Sequence, residues 1–189
     1  MFPVFLKLEK LNLLIVGGGY VGMEKLQAVL QNAPGTSVKL VAITISDEIK
    51  LLAKDISNIE LQERAFENAD LEDADIVIVA VNDRQVSQEI HRQAKLQGKL
   101  VNVADTPDLC DFYLSSVVKK GNLKLAISTN GKSPTIAKRI KEVLNDCMPE
   151  ELDDLLDNIE KIRATLKGDF TDKVKQLNEL TSDLVSKNA

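Results

Sequence analysis

The chain has 189 residues, 44% of them hydrophobic, and a formal net charge of −5. That suits one compact domain plus a modest appendage, and the charge speaks against a nucleic-acid binder that relies on bulk attraction to phosphate. No apolar run is long enough to span a membrane, Met1–Lys7 lacks a basic-then-apolar secretion layout, and Cys110 and Cys147 have no C-x-x-C spacing, so a disulfide framework or zinc site is not expected and a reducing cytoplasm fits.

Leu11–Val16 is a continuous apolar run, the pattern of a strand buried on both faces. It leads directly into Gly17-Gly18-Gly19-Tyr20-Val21-Gly22, and a helix over Val21–Gln31 follows, with Val21, Leu26, Val29 and Leu30 on one face. In that order of strand, loop and helix, G-x-G-x-x-G is the dinucleotide-binding fingerprint. Gly17 permits the tight turn, Gly19 leaves room for a pyrophosphate and Gly22 lets the helix pack close to the strand. The N–H groups opening that helix face the phosphates.

Val38–Ile45 reads as the second strand, followed by a helix capped by Ser46 and running to about Ile56. Ile59–Gln62 is a short third strand. Asp75–Val81 is the fourth, closed by Asn82-Asp83, and the next helix turns Val86, Ile90 and Ala94 inward. His91, the single histidine, sits mid-helix and reads as a surface or packing residue. Leu100–Ala104 is the fifth strand. Strands alternating with helices at this spacing predict a parallel, doubly wound sheet, which binds ligands beyond the C-terminal ends of its strands. Gly17–Gly22, Asn82–Arg84 and Ala104–Pro107 are the loops at those ends.

The pattern then changes. Phe112–Val118 and Leu123–Ser128 read as two strands of a hairpin around Lys119–Asn122. A helix follows, with Ser133 as N-cap, Pro134 first, and Ile136, Ala137, Ile140, Val143 and Leu144 at helical spacing. The last forty residues read as two amphipathic helices separated by Lys167-Gly168-Asp169. One carries Leu152, Leu155, Leu156, Ile159, Ile162 and Leu166; the other carries Phe170, Val174, Leu177, Leu180 and Leu184. The acidic run Glu150–Asp154 suits a helix N-terminus better than a metal site. The expected organisation is a Rossmann-like domain over 1–111, a hairpin-and-helix segment over 112–147 and a helical region over 148–189.

Asp105 stands just past the fifth strand, where a cofactor crevice opens. A carboxylate there can exchange a proton beside a hydride transfer, or it can simply cap the Asp105-Thr106-Pro107 turn. Thr129–Ser133, with Lys132, either presents N–H groups to an anion or merely connects hairpin to helix. One usual feature is missing: the acid that holds a ribose at the end of strand two, where Ile43 and Thr44 stand; Asp47 and Glu48 come slightly late. No Arg or Lys occurs at Ile43–Ser46 to take a 2′-phosphate, which favours NAD over NADP.

These segments together resemble precorrin-2 dehydrogenase, the module that stands alone or at the N-terminus of siroheme synthases. The resemblance spans most of residues 1–147. It is carried by Pro3-Val4-Phe5-Leu6, Ile15–Gly22 with Lys25, Ala80-Val81-Asn82-Asp83, Val101-Asn102-Val103-Ala104-Asp105, Cys110-Asp111-Phe112, and Ser128–Pro134 with Ala137-Lys138-Arg139. It implies NAD-dependent oxidation of precorrin-2 to sirohydrochlorin, with Asp105 as the catalytic aspartate. It also implies a homodimer built on the segment after the Rossmann-like domain. In this reading Gly17, Gly19, Tyr20, Val21, Gly22, Ile43, Thr44, Val81 and Asn82 line the cofactor. Ser128, Thr129, Asn130, Gly131, Lys132 and Ser133 meet the carboxylates of the tetrapyrrole. Many relatives have proline a few residues after the phenylalanine matched by Phe112, the region where Ser115 stands here, so strand geometry near the interface is expected to differ. No methyltransferase domain follows, so that activity is expected to be absent. Some relatives also insert iron, and others leave this to a separate chelatase; insertion here would have to lean on carboxylates such as Asp105. A non-catalytic nicotinamide sensor and an oxidoreductase for another small substrate are the alternatives.

Overall fold

A computed structural model describes residues 2–149, 152–166 and 169–181. The chain forms two compact units, Met1–Leu114 and Ser115–Ala189.

The first unit is a five-stranded, fully parallel sheet: β1 (Asn12–Gly18), β2 (Ser37–Ile45), β3 (Ile59–Glu63), β4 (Ile76–Val79) and β5 (Leu100–Val103), in the order β3-β2-β1-β4-β5. The crossovers contain α1 (Tyr20–Asn32), α2 (Asp47–Ala53) and α3 (Arg84–Leu96). β1 is central and serves two cores at once. Leu13 and Ile15 join Leu26 and Val29 of α1 and Ile49 of α2 on one face. Leu14 and Val16 join Ile90 and Ala94 of α3 on the other. This division explains the unbroken apolar run, since alternate side chains of a doubly covered strand are all buried.

Three elements differ from the sequence reading. α2 stops at Ala53 rather than near Ile56, because Lys54 and Asp55 form a turn. Val86 is exposed; Ser87 takes the inward position, its hydroxyl donating to the carbonyls of Asp83 at 2.8 Å and Val81 at 3.3 Å. Phe112 does not begin a hairpin strand. Its carbonyl accepts from Asn102 Nδ2 at 2.8 Å, and its ring packs on the core of the first unit.

The second unit opens with the antiparallel hairpin β6 (Ser116–Lys120) and β7 (Leu123–Ile127). Its loop is the two-residue Gly121-Asn122, with Gly121 at φ +54°. The Asp153 carboxylate accepts from the backbone N–H of Asn122 at 2.7 Å and from its side-chain amide at 3.0 Å. The positive φ at Gly121 favours glycine, and a Cβ there would displace that carboxylate. Helices α4 (Pro134–Cys147), α5 (Leu152–Thr165) and α6 (Phe170–Leu180) complete the unit. Asp153 and Asp154 lie in the first turn of α5, as the helix-terminus reading of the acidic run expects. Glu150, Glu151, Lys167, Gly168 and Leu184 lie outside the described residues.

Candidate active site

The strand order reverses direction between β1 and β4, and open parallel sheets bind ligands beyond the strand ends at such a point. The glycine loop stands there. Gly17 has φ +124°, and a Cβ on it would meet the Ala80 carbonyl oxygen at 2.2 Å. Gly17 is therefore pressed against the exit of β4. A Cβ on Gly22 would meet the Gly17 carbonyl oxygen at 2.1 Å, so α1 starts in contact with the loop. A Cβ on Gly19 would meet nothing within 4 Å. The space beside Gly19 is open, as a cradle for a pyrophosphate requires.

The start of α1 strengthens this fit. Its N-cap is Gly19, which offers no side-chain acceptor, and its first turn holds no acid. By contrast Ser46 caps α2, Asp83 caps α3 and Ser133 caps α4. The first N–H groups of α1 and the positive end of its dipole are left for an anion from outside the helix. Tyr20 and Ile43, 83% and 78% exposed, lie at the same end of the sheet. Val81 is half-buried there and Asn82 exposed. These residues fit a dinucleotide.

Sequence reasoning passed over Gly18. A Cβ there would meet the Thr44 carbonyl oxygen at 2.4 Å and Ile45 Cα at 2.9 Å. The Gly18 carbonyl accepts from the Ser46 N–H at 2.9 Å. Gly18 thus locks the loop to the end of β2, a requirement that the unbroken Gly17-Gly18-Gly19 run signals. Glu63 was also missed. From the end of β3 its Oε1 accepts from the Ile45 N–H at 2.9 Å, and both carboxylate oxygens accept from Lys50 Nζ, at 3.1 and 3.0 Å. The Ile45 N–H and then the Lys50 ammonium hold the Glu63 carboxyl below its ordinary range.

Asp105 lies beyond β5 with φ +56°. Its turn is closed by the Thr106 N–H on the Val103 carbonyl at 3.3 Å, and the Thr106 hydroxyl donates to the Ala104 carbonyl at 3.3 Å. The Asp105 carboxylate takes no part in that turn and has no partner among the described residues. It is exposed at the edge of the sheet that carries the glycine loop. A left-handed conformation costs a non-glycine residue about 1–2 kcal/mol, and such strain gathers at functional sites.

The structure also connects two of the recognised motifs. Asn102, buried on β5, donates to Cys110 Sγ at 3.4 Å as well as to Phe112. The Cys110 thiol lies 3.2 Å from the Val103 carbonyl oxygen and 3.3 Å from that of Thr106, beneath the Asp105 turn. Burial pushes the thiol pKa up, so it stays protonated and donates. The Asp111 N–H donates to the Val101 carbonyl, and the Asp111 carboxylate accepts from the Val101 N–H at 2.9 Å and from Lys95. Burial raises the Asp111 pKa, but the Lys95 and Val101 hydrogen bonds outweigh it and hold the group below its ordinary range. Cys110–Phe112 thus covers the open side of β5, a common protection for an edge strand.

Ser128–Ser133 belongs to the second unit. Asn130 and Gly131 have φ +52° and +77°, and the Lys132 N–H donates to the Thr129 carbonyl at 3.0 Å, which makes Thr129–Lys132 a type I′ turn. The Asn130 N–H goes to Ser128 Oγ and the Ser133 N–H to Thr129 Oγ1. Ser133 Oγ caps α4 through the Ile136 N–H at 3.2 Å. The N–H groups of Asn130, Lys132 and Ser133 are therefore used internally, and the exposed Lys132 side chain is the loop's principal group for an outside anion. Among the described residues no helix is long and apolar enough to cross a membrane, and no group of three or more His, Cys, Asp or Glu side chains gathers to hold a metal ion.

A family model described as "Putative NAD(P)-binding" matches residues 4–116, and one described as "Sirohaem biosynthesis protein central" matches residues 120–146. Siroheme synthase of Pseudoalteromonas atlantica is 33% identical over 93% of this chain and 37% of its own length. Siroheme synthase of Methylococcus capsulatus is 35% identical over 92% of this chain and 34% of its own length. The chain spans about a third of the length of these relatives. The solved structure of SirC, a precorrin-2 dehydrogenase, aligns with 99% of this chain and 93% of its own at a TM-score of 0.78 and 28% identity. The chain belongs to the "Putative NAD(P)-binding" family, in the form shared by precorrin-2 dehydrogenases and the corresponding part of siroheme synthases.

Proposed function

We propose that this chain is an NAD-dependent oxidoreductase that converts precorrin-2 to sirohydrochlorin. The reaction removes two hydrogens from the macrocycle, one as hydride and one as a proton. The bound nicotinamide supplies the hydride acceptor. Gly17–Gly22 would hold its pyrophosphate, with Tyr20, Val21, Ile43, Thr44, Val81 and Asn82 around the nucleotide. Asp105 is the catalytic residue in this reading: it takes the proton or orients the ring that loses it. One observation carries the assignment: an unpartnered carboxylate, held on a left-handed turn, at the same end of the sheet as an uncapped helix that opens beside a glycine cradle. Lys132, within Ser128–Ser133, would hold substrate carboxylates.

We place the enzyme in the cytoplasm as a homodimer. Ile136, Ile140 and Val143 form an exposed apolar stripe on α4, which supports self-association through the second unit. Sedimentation at micromolar concentration should give twice the chain mass; a monomer at every concentration would refute the dimer.

The test of function is anaerobic turnover of enzymatically generated precorrin-2 with NAD⁺, followed by absorbance. The expected result is the sirohydrochlorin chromophore with stoichiometric NADH. A rate independent of protein would overturn the proposal. Ferrous iron added afterwards decides the next step: siroheme formed above the uncatalysed rate assigns insertion to this chain, and otherwise a separate chelatase must supply it.

A further inference from the structure

We propose that Glu63 sets the cofactor preference, standing in from β3 for the acid that β2 lacks and excluding a 2′-phosphate. This inference rests on the nicotinamide reading above. In this fold the end of β2 meets the ribose through an acid for NAD, or admits a 2′-phosphate through a nearby Arg. Here Ile43 and Thr44 occupy that end and bring no charge. A carboxylate nonetheless reaches it, because β3 lies beside β2 in register, with Ala42 opposite Glu63. Glu63 Oε1 docks on the Ile45 N–H at 2.9 Å, one residue from Thr44 and within the segment locked by Gly18.

The same carboxylate decides what the local cations can do. Lys50 is gripped by both Glu63 oxygens. The next cation along β3, Arg64, is committed to the buried Asp70, with Nη1 2.8 Å from Oδ2 and Nη2 2.6 Å from Oδ1. A 2′-phosphate at this edge would find Lys50 already held by Glu63 and Arg64 by Asp70, and would meet the Asp47 and Glu48 carboxylates in the first turn of α2. Glu63 thus discriminates by withholding the cation that a 2′-phosphate would need rather than by adding affinity for NAD.

The experiment is titration of NAD⁺ and NADP⁺ by calorimetry against the wild type, Glu63→Gln, Glu63→Asp and the double variant Glu63→Gln/Lys50→Ala, with thermal melts of each. Glu63→Gln keeps an acceptor for the Ile45 N–H while removing the charge and releasing Lys50. Its affinity for NADP⁺ relative to NAD⁺ should rise at least about tenfold. The double variant should lose most of that gain, and Glu63→Asp should keep the wild-type preference. An unchanged ratio in Glu63→Gln overturns the proposal. So does a parallel loss of both affinities with a lowered melting temperature, which would make Glu63 a structural brace. Wild-type protein that binds both cofactors equally overturns this inference alone. Wild-type protein that binds neither overturns the nicotinamide reading with it.

Discussion

Replacing Asp105 separates a catalytic carboxylate from a turn residue, because the two roles predict opposite changes in stability. The left-handed φ of +56° costs an L-residue about 1–2 kcal/mol, and Asp and Asn tolerate it better than most. Glycine removes that steric cost but adds about 0.5–1 kcal/mol of unfolded-state entropy. Since the Asp105 carboxylate makes no bond in its turn, nothing else is lost. Asp105→Gly should therefore be neutral or stabilise by up to about 1 kcal/mol, a rise in Tm of roughly 2–4 °C. Asp105→Asn should match the wild type, and Asp105→Ala should lose about 1 kcal/mol. Turnover should fall about 10²–10⁴-fold in all three, while NAD⁺ affinity stays within a few-fold. Urea denaturation and single-turnover absorbance measure the two quantities on the same preparations. If Asp105→Gly destabilises the fold by more than about 1 kcal/mol, the side chain braces the turn after all. Near-wild-type turnover in Asp105→Asn would sink the catalytic role.

Gly17→Ala should unfold or severely destabilise the first unit, since its Cβ would lie 2.2 Å from a backbone oxygen at φ +124°, whereas Gly19→Ala should cost no more than about 1 kcal/mol and still weaken NAD⁺ binding at least about tenfold; melts and calorimetry check both. Asp70, with its side chain 2% exposed, is held below the ordinary carboxyl value of 3.8 by the Arg64 hydrogen bonds against the opposing effect of burial, with help from the Glu67 N–H. Its contribution is complete above that value and disappears as pH falls through the lower folded one. Asp70→Asn should therefore cost about 2 kcal/mol at pH 7, with the gap to wild type closing below about pH 4 in urea melts. Iodoacetamide should leave Cys110 unmodified in the folded protein, since burial raises its pKa, and should reach it once urea opens the fold; peptide mapping that finds Cys110 modified in the native state would contradict the hydrogen-bonded thiol beneath the Asp105 turn.

Much of the first unit is legible in one dimension because its signals are local. The apolar run before Gly17 ends in the central strand, and each alternation of strand and helix becomes one crossover of the parallel sheet. Gly17, Gly19 and Gly22 can be given distinct duties from spacing alone; in the structure a Cβ would clash with backbone at Gly17 and Gly22 and meet open space at Gly19. Asp105 could be placed at a strand end but not assigned, since an Asp before Thr-Pro satisfies a turn equally well. What separates the readings is a side chain with no partner and a positive φ, and neither is written in the sequence. Phe112 was misplaced for a related reason. Its apolar neighbours look like a strand, but Asn102 draws its carbonyl to β5 and its ring enters a core whose buried residues lie between Leu13 and Ile78.

The features that remained hidden are those made across the sheet. A parallel sheet puts residues side by side that are far apart in the chain, so a function supplied by a neighbouring strand leaves no spacing signature. Glu63 illustrates this. Along the chain it is one acid in the polar end of a short strand; in the sheet it caps the Ile45 N–H of the adjacent strand and engages Lys50, thirteen residues back. Cys110 does the same for the Asp105 turn from seven residues beyond Val103. The missing acid on β2 is therefore a gap in the motif rather than in the site. The chemistry a fold requires is fixed by position in space, and any strand that ends at that position can provide it.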